Sequence, residues 1–428
     1  MILILSVFLI STLALSDVGS FWTLNDVHYS QHYRQGSNPN TACTKGHGSA
    51  GKFGHLQCCA PKPLLDSALD FMASIEPNPD FVSFLGDLIP QSETLKESVF
   101  KKANIKPFIQ SFTDLVHNAF PNSRFVPVLG NHDILPAFQF SPLNRYIYKD
   151  SLEAWKHYIP QKYVEDYLHG GYYRVDLTPS LSLLVLNTNL YFTCNIESLI
   201  SKDPEGQFQW IENQMNNIIA EDRNVLVISH VPVGIMESTG IGEHGAIPNM
   251  WPQFNHRLLK SLQPGVDSGR VKALFAGHEH SDAMRLLWNE KENGPGSVMF
   301  ISPSLTYSEN SFYGGSNPGV RLYRFNRTTG TILDFEQYYL NVSAANESEV
   351  AEWKLEYSAR DAYKEKDMSA ASSYRIWKKL TVDSEMMAQY VKMNTVGLGQ
   401  VKIDHNVVVR HLCSYRYAHL LEFYTCKI

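Results

Sequence analysis

Five short stretches of this sequence end on side chains of the kind that bind metal ions. Each is an apolar run rich in β-forming residues, followed at once by aspartate, asparagine or histidine. The polar residues are Asp26, His28, Asp87, Asn131, His132, His230, His278 and His280. Carboxylate, amide and imidazole groups without a thiolate suit divalent Zn, Fe or Mn. One such stretch would be a weak signal, because these residues also end strands in ordinary turns, but five in one chain indicate a shared site.

The spacing within the set points to two metal ions. Asp26 and His28 are separated by one residue, as are His278 and His280, so in extended backbone both members of a pair lean to one side. Without His132 the set has seven groups, which is too many for one tetrahedral ion and suits two ions with a shared ligand. Two ions about 3.5–4 Å apart can hold the attacking and leaving oxygens of a phosphoryl displacement.

The apolar runs are predicted to be strands that position these side chains. The central one is FVPVLGNHD, from Phe125 to Asp133, whose apolar part stops at a glycine, as a covered parallel strand does. Strands that end together at one edge of a sheet bring their following loops to one rim. Amphipathic spacing predicts helices within 63–75, 99–120, 207–220 and 255–262. The alternation of strands and helices indicates layers of α on β.

The order of the motifs resembles that of the calcineurin-like metallophosphoesterase superfamily: D-x-H, G-D, G-N-H-D, a histidine after a strand, and G-H-x-H. Other segments are similar to the acid sphingomyelinase-like phosphodiesterases, namely LNTNLY at 186–191, QFQWIE at 207–212, HVPVG at 230–234, SNPGVR at 316–321 and WKLEY at 353–357. The similarity runs from about Phe21 to the C-terminus. It implies a layered α/β/β/α metallophosphoesterase sandwich and a phosphodiesterase that uses a metal-bound hydroxide.

The resemblance also implies roles for the site residues, with two divalent ions, expected to be Zn²⁺, as cofactors. One ion would be held by Asp26, His28, Asp87 and His280. The other would be held by Asp87, Asn131, His230 and His278, so that Asp87 bridges. The residue matching His132 donates a proton to the leaving group or stabilises phosphoryl charge, and Asp133 is a candidate for orienting its ring. Related enzymes commonly have a histidine where Gln91 stands, and glutamine can donate a hydrogen bond but carries no charge.

The ends of the chain have a different character from its centre. The first sixteen residues, MILILSVFLISTLALS, are apolar and end in a small-x-small pattern, which predicts a secretory signal peptide. No later run reaches the ~18 apolar residues that a transmembrane helix needs. The catalytic domain is predicted at 17–348. Residues 349–428 lack the strand-then-ligand pattern and are predicted to form a small, mainly helical C-terminal subdomain.

The cysteines and sequons agree with export. The cysteines are Cys43, Cys58, Cys59, Cys194, Cys413 and Cys426, and an even number in an exported chain should be paired. The resemblance favours the pairs Cys43–Cys58 and Cys413–Cys426, which leaves Cys59 and Cys194 for a third. Asn326, Asn341 and Asn346 each begin an N-glycosylation sequon. The chain is therefore expected to be secreted, to the extracellular space or the lysosome.

Composition limits the partners. A net charge of −6 and a pI near 6.2 argue against binding a nucleic-acid polymer, so a small phosphodiester or nucleotide is the expected substrate of a monomeric enzyme. The lipid-hydrolysing acid sphingomyelinase carries a saposin-like module ahead of its catalytic domain, and none precedes Asp26 here, which favours soluble substrates. Two alternatives stay open: a sphingomyelin phosphodiesterase of the phospholipase C type that releases phosphocholine, and an inactive glycosylated binding protein.

Overall fold

A computed structural model of the chain describes residues 17–90, 105–237, 246–307, 315–398 and 402–428. The strands in this part of the chain are β1 (Val18–Leu24), β2 (Phe81–Phe84), β3 (Arg124–Pro127), β4 (Tyr173–Asp176), β5 (Leu181–Val185), β6 (Asn224–Ile228), β7 (Val271–Ala276), β8 (Ala283–Asn289), β9 (Gly294–Ile301), β10 (Gly319–Asn326), β11 (Ile332–Leu340) and β12 (Trp353–Ser358). They form two sheets of six strands each.

The two sheets have mixed strand directions with a parallel centre. The first has the order β12-β11-β10-β1-β2-β3, and the second β4-β5-β6-β7-β9-β8. Strands β1, β2 and β3 are parallel to one another, as are β5, β6, β7 and β9. The loops after the parallel strands of one sheet therefore leave from the same edge. The predicted strands that carry the polar residues are all present.

Aromatic side chains fill the space between the sheets. The ring of Phe21 on β1 stacks on that of Tyr323 on β10 at 4.8 Å between centroids. Both rings contact Phe275 on β7 edge-on, at 5.1 Å and 5.0 Å. All three residues are buried. Because aromatic burial contributes strongly to core stability, these contacts fix the position of β1 relative to β7, the strands that precede Asp26 and His278.

Helices cover the outer faces of the sheets and complete the predicted α/β/β/α layering. Before β10 they are α1 (Lys62–Ile75), α2 (Lys106–Ala119), α3 (Tyr146–Trp155), α4 (Val164–Gly170), α5 (Gln207–Ala220) and α6 (Pro252–Asp267). Helices α1, α2, α5 and α6 are those predicted from amphipathic spacing. The sixth is longer than predicted at both ends: it begins at Pro252, where a missing N–H costs nothing, and continues past Pro264 to Asp267.

The end of the chain is helical, as predicted, and it also contributes to the first sheet. Its helices are α7 (Val342–Ser348), α8 (Ala359–Tyr363), α9 (Ala370–Leu380), α10 (Ser384–Asn394), α11 (His405–Arg416) and α12 (Leu420–Tyr424). Between α7 and α8, β12 pairs antiparallel with β11 and forms the sheet edge. The division at residue 349 stays a prediction, as does the monomeric state.

Two of the three expected disulfides are formed. Cys43 is bonded to Cys58, and Cys413 to Cys426. The expected third pair is wrong: Cys59 is a buried thiol and Cys194 an exposed one. These two were assigned to each other only because they remained. Cys59 lies just before α1. Cys194 lies elsewhere, where its backbone carbonyl accepts a hydrogen bond at 2.9 Å from Gln139, a residue of the loop after β3.

The predicted signal peptide lies outside the described residues. Within the described part of the chain, no helix has the length and apolar character needed to cross a membrane.

Candidate metal centre

The structure brings all eight predicted site residues together, in loops that leave the carboxyl ends of parallel strands. The placements are Asp26 and His28 after β1, Asp87 after β2, Asn131 and His132 after β3, His230 after β6, and His278 and His280 after β7. The loops of the first sheet meet those of the second across the cleft between them. Residues up to 254 positions apart in the sequence thus share one site.

Their side chains form two groups that share one carboxylate. In the first group, Nε2 of His280 lies 3.3 Å from Oδ1 of Asp26 and 3.3 Å from Nε2 of His28. In the second, Oδ1 of Asn131 lies 2.8 Å from Nε2 of His230 and 2.7 Å from Nδ1 of His278.

Asp87 lies between the two groups. Its Oδ2 is 3.6 Å from Nε2 of His28 and 3.4 Å from Nε2 of His230. A single carboxylate oxygen is therefore within reach of both groups, which is the placement that a bridging ligand requires.

The hydrogen bonds behind the rings show that lone pairs face into the site. Nδ1 of His28 lies 3.0 Å from the carbonyl of Ile89, and Nδ1 of His230 lies 2.7 Å from the carbonyl of Leu85. A carbonyl only accepts, so both Nδ1 atoms carry a proton and both Nε2 atoms face into the site, where each presents a lone pair once its own proton is absent. Nε2 of His230 faces the amide oxygen of Asn131 at 2.8 Å, so without a cation it donates a proton there, and a bound cation would take the place of that proton. Such converging lone pairs suit a cation, and the fixed tautomer is typical of metal-bound histidine.

Charge in the site also favours cations. Burial raises the pKa of the carboxylates, but neighbouring histidines outweigh it: His280 helps to lower the pKa of Asp26 to about 2, and His230 holds the pKa of Asp87 well below its usual range. Against the effect of burial, Asp87 raises the pKa of His230 to about 9. Burial lowers the pKa of His28 to about 4. The field of the two carboxylates therefore stabilises positive charge at this place.

Most of the predicted ligands have strained backbone. The φ angles are 48° at Asp26, 43° at His28, 60° at Asp87, 72° at His278 and 55° at His280. This left-handed region is uncommon for residues other than glycine, with Asp and His among those that tolerate it best. It costs of order 1–3 kcal/mol per residue and persists where the surroundings impose it, often at functional sites. Five such residues in one cluster indicate that the placement of these side chains outweighs local backbone stability here.

Asp133 has a different role from the predicted one. Its carboxylate accepts backbone N–H bonds from Gly130 (2.8 Å), Asp87 (3.1 Å), Leu88 (2.8 Å) and Ile89 (3.0 Å). It thus ties the loop after β2 to the loop after β3, and orienting the ring of His132 is not what these bonds do. Burial and the charge of Asp87 raise the pKa of Asp133 to about 7.

Two glycines allow these loops to touch. A Cβ on Gly130 would lie 2.1 Å from the backbone nitrogen of Asp87, and Gly86 has a φ of 101°. Any side chain on Gly130 would therefore push the carboxylate of Asp87 away from its partners, and a side chain on Gly86 would be strained at that φ. The glycines of the G-D and G-N-H-D motifs serve this close approach.

His132 stands beside the two groups against an aromatic wall that the sequence did not reveal. Its ring is edge-on to His28 at 5.2 Å and to Phe138 at 4.9 Å. Phe192 contacts Phe138 at 5.7 Å and His278 at 4.8 Å. Burial lowers the pKa of His132. Phe138 and Phe192 lie in irregular loops, where no periodic pattern marks a functional aromatic. Gln91, the other residue singled out from the sequence, lies outside the described residues.

Comparison with known proteins assigns both parts of the chain. A family model described as "Calcineurin-like phosphoesterase" matches residues 19–282, and one described as "Acid sphingomyelin phosphodiesterase C-terminal region" matches residues 295–427. "Acid sphingomyelinase-like phosphodiesterase 3b" of Homo sapiens is 29% identical, covering 96% of this chain and 91% of the relative. "Cyclic GMP-AMP phosphodiesterase SMPDL3A" of Bos taurus is 31% identical, covering 92% and 86%. "Sphingomyelinase phosphodiesterase C" of Dictyostelium discoideum is 28% identical, covering 96% and 93%.

Proposed function

The chain belongs to the acid sphingomyelinase-like phosphodiesterases of the calcineurin-like phosphoesterase family, and from this membership we propose that the candidate metal centre holds two zinc ions and that the enzyme hydrolyses soluble phosphodiesters of the nucleotide type. The chain is a phosphoric diester hydrolase. The observation that carries the two-ion proposal is the single oxygen of Asp87 that lies 3.6 Å from His28 and 3.4 Å from His230.

The proposed ligands follow the two side-chain groups. One ion is held by Asp26, His28, Asp87 and His280, and the other by Asp87, Asn131, His230 and His278. When bound, two such ions would polarise the phosphoryl group and lower the pKa of water so that hydroxide is available near neutral pH to attack phosphorus. The converging lone pairs support this assignment, and imidazole with carboxylate and no thiolate suits zinc. An inactive binding protein would keep the strained ligand backbone without an ion to compensate for it.

His132 is proposed to act on the leaving oxygen. Its ring contacts that of His28 in the first group, and Asn131, the preceding residue, contacts His278 in the second group. A protonated imidazole can give its proton to the departing alkoxide, and the neutral ring still donates one N–H bond. Phe138 packs against this ring and Phe192 packs against Phe138, and apolar side chains at this place would limit the water beside a bound phosphate.

The substrate class is tested by comparing products. We expect ATP, CDP-choline and a cyclic dinucleotide to be hydrolysed at least about tenfold faster than micellar sphingomyelin at equal concentration, a barrier difference of about 1.4 kcal/mol. A relative named for cyclic GMP-AMP makes the cyclic dinucleotide a necessary member of this set. Chromatography of the products identifies the bond cleaved. Sphingomyelin turning over fastest without detergent would overturn the soluble-substrate proposal.

One observation favours the second candidate, a sphingomyelin phosphodiesterase. Four aliphatic side chains are exposed on loops that adjoin the aromatic wall, and we call them the apolar rim: Leu143 (82% exposed), Ile196 (65%), Leu199 (41%) and Ile200 (87%). The two loops are joined by hydrogen bonds from Ser141 to Glu197 (2.5 Å) and from Asn195 to the carbonyl of Phe140 (2.9 Å). An exposed apolar patch beside a site often contacts lipid or another protein.

The apolar rim can be tested against a matched surface residue. If lipid is the substrate, Ile200→Ser should lower the turnover of sphingomyelin in micelles several-fold and leave a soluble nucleotide unaffected. Val382 is 86% exposed and lies in the helical region, so Val382→Ser is the control. With soluble substrates as proposed, both variants keep wild-type nucleotide turnover, and neither changes the slow reaction with sphingomyelin by more than about twofold.

We further propose that the chain is secreted with glycans at Asn326 and Asn341 but not at Asn346. Asn341 is exposed and its Oδ1 caps α7 by accepting from Ala344, which leaves Nδ2 for the sugar. The amide of Asn346 instead bonds the backbone on both sides, accepting from Phe53 (2.8 Å) and donating from Nδ2 to Gly54 (3.0 Å). Peptide mass mapping before and after glycosidase checks each site. A cytosolic protein without glycans would contradict the proposal.

A further inference from the structure

Glu279 stands between the two histidines of the G-H-x-H motif and has no part in holding a metal in the assignment above. It is buried. Its Oε1 pairs with the guanidinium of Arg285 and accepts from Nδ2 of Asn249 at 2.7 Å, and its Oε2 accepts from the backbone nitrogen of Glu237 at 3.1 Å. Every partner lies outside the loop that Glu279 occupies. The side chain therefore ties the turn of His278 and His280 to the structure behind it.

Arg285 anchors this tie to the second sheet. It belongs to β8, is fully buried, and also donates to the backbone carbonyls of Val233 and Ile235, three and five residues after His230. A buried guanidinium with a carboxylate and two carbonyls as partners has a fixed orientation. The same arginine thus contacts the segment after His230 and, through Glu279, the turn that carries His278 and His280.

Glu237 extends the tie into the C-terminal helical region. Its side chain is buried, and its Oε1 accepts from Nδ1 of His411 on α11 at 2.5 Å. Its Oε2 lies 3.4 Å from Nδ2 of Asn394 at the end of α10. His411 and Asn394 are themselves buried. A continuous set of buried polar contacts therefore runs from the metal-binding turn to two helices of the C-terminal region.

We propose that Glu279 is a positioning residue for the metal centre, and that it acts through Glu237 and His411 to make the C-terminal helical region part of the support of the ligands His278 and His280. These two ligands have left-handed backbone, with φ of 72° and 55°, which persists only where surrounding contacts impose it. Residues that orient metal ligands typically change metal affinity or activity by about 10–100-fold when removed. The inference rests on the proposed function, because it takes His278 and His280 to be metal ligands.

The test compares variants of His411, which lies in the helical region away from the ligands. His411→Leu removes the donor to Glu237, whereas His411→Asn places an amide N–H close to the position of Nδ1. We expect His411→Leu and Glu279→Gln to weaken Zn²⁺ binding by about 10–100-fold and to shift the visible absorption of the Co²⁺-substituted enzyme. His411→Asn should keep both the Zn²⁺ affinity and the Co²⁺ absorption close to those of the wild-type enzyme. Glu205→Gln is the control, because Glu205 is a buried carboxylate paired with Arg145 at another place, and it should change neither.

One further variant, His278→Ala, separates the possible failures. His278→Ala must weaken Zn²⁺ binding if the ligand assignment is right, so wild-type affinity in this variant would overturn the proposed function itself. If it loses affinity while His411→Leu and Glu279→Gln keep the wild-type affinity and Co²⁺ spectrum, only the present inference fails. Equal loss in His411→Asn and His411→Leu would also contradict it, because packing alone would then explain the effect.

Should the variants fail to fold, hydrogen exchange of the wild-type protein carries the test. Adding Zn²⁺ to the metal-free enzyme should protect amides in α11 and in residues 231–237, and leave α3 unchanged. Unaltered exchange in α11 would overturn the proposed link.

Discussion

In the Asp87→Asn variant we expect turnover to fall by at least about 10³-fold, with loss of both metal ions. A metal ion contributes several kcal/mol of charge stabilisation in the transition state, and about 4 kcal/mol corresponds to about 10³-fold in rate. Asparagine has the size of aspartate and keeps an oxygen for the 2.7 Å bond from the backbone of His132. It replaces the anionic oxygen between His28 and His230 with a neutral group, so the change removes the bridge and keeps the loop.

The matched comparison is a ligand that belongs to one group only. His280→Ala removes a contact with Asp26 and His28 and should lower the occupancy of one ion with a smaller loss of turnover than Asp87→Asn. Metal analysis of both purified variants, with the wild-type protein at two Zn²⁺ per chain and with chelated wild type as the inactive reference, measures this directly. Near wild-type turnover with full metal content in Asp87→Asn would contradict the bridging role.

The candidate ligands could be predicted from the sequence because each of them follows a strand. Strands β2 and β3 are four residues long each, with the sequences FVSF and RFVP. Both continue into an apolar stretch that ends at a glycine, so the polar residue after that glycine marks the end of the run. Parallel strands then bring those ends to one edge. This argument needs only the strand pattern and gives the eight residues that the structure brings together, whereas the division into seven candidate ligands and His132 came from the family resemblance.

Residues that act through contacts across the fold could not be read in the same way. Asp133 follows His132 in sequence, which suggested a local role, but its carboxylate bonds to the backbone of the loop after β2. Phe138 and Phe192 meet only because two irregular loops cross. Glu237 and His411 are 174 positions apart in the sequence. Such pairs depend on tertiary packing, and single residues in loops carry no periodic signal of it.

The left-handed backbone of the ligands is also invisible to pattern reasoning. Asp26 and His28 were predicted to lean to one side of extended backbone, whereas both have positive φ. The D-x-H spacing still brings both side chains into the site, but through irregular backbone held by the backbone bonds from Asp26 to Gly86 (2.9 Å) and from His28 to Asp87 (3.0 Å). The strain is therefore imposed by the neighbouring loop, which is a nonlocal cause.

In the His132→Ala variant we expect turnover to fall by about 10²–10⁴-fold, the usual range for general acid catalysis, with metal content and fold unchanged. The backbone nitrogen of His132 donates to Asp87 at 2.7 Å, and alanine keeps that bond, so the bridging carboxylate stays in place. The ring is edge-on to His28 and Phe138 and is not needed by either metal group.

The leaving group decides what His132 contributes. A nitrophenolate can leave without being protonated, whereas an alkoxide needs a proton in order to leave. The loss of turnover in His132→Ala should therefore be small for nitrophenyl phosphodiesters and largest for alkyl esters. Phe138→Leu serves as the control for lost packing against the ring, and it should affect both substrates equally and by much less. Equal losses for good and poor leaving groups in His132→Ala would instead assign His132 to stabilising charge on the phosphoryl oxygens, because that contribution does not depend on how readily the alcohol departs.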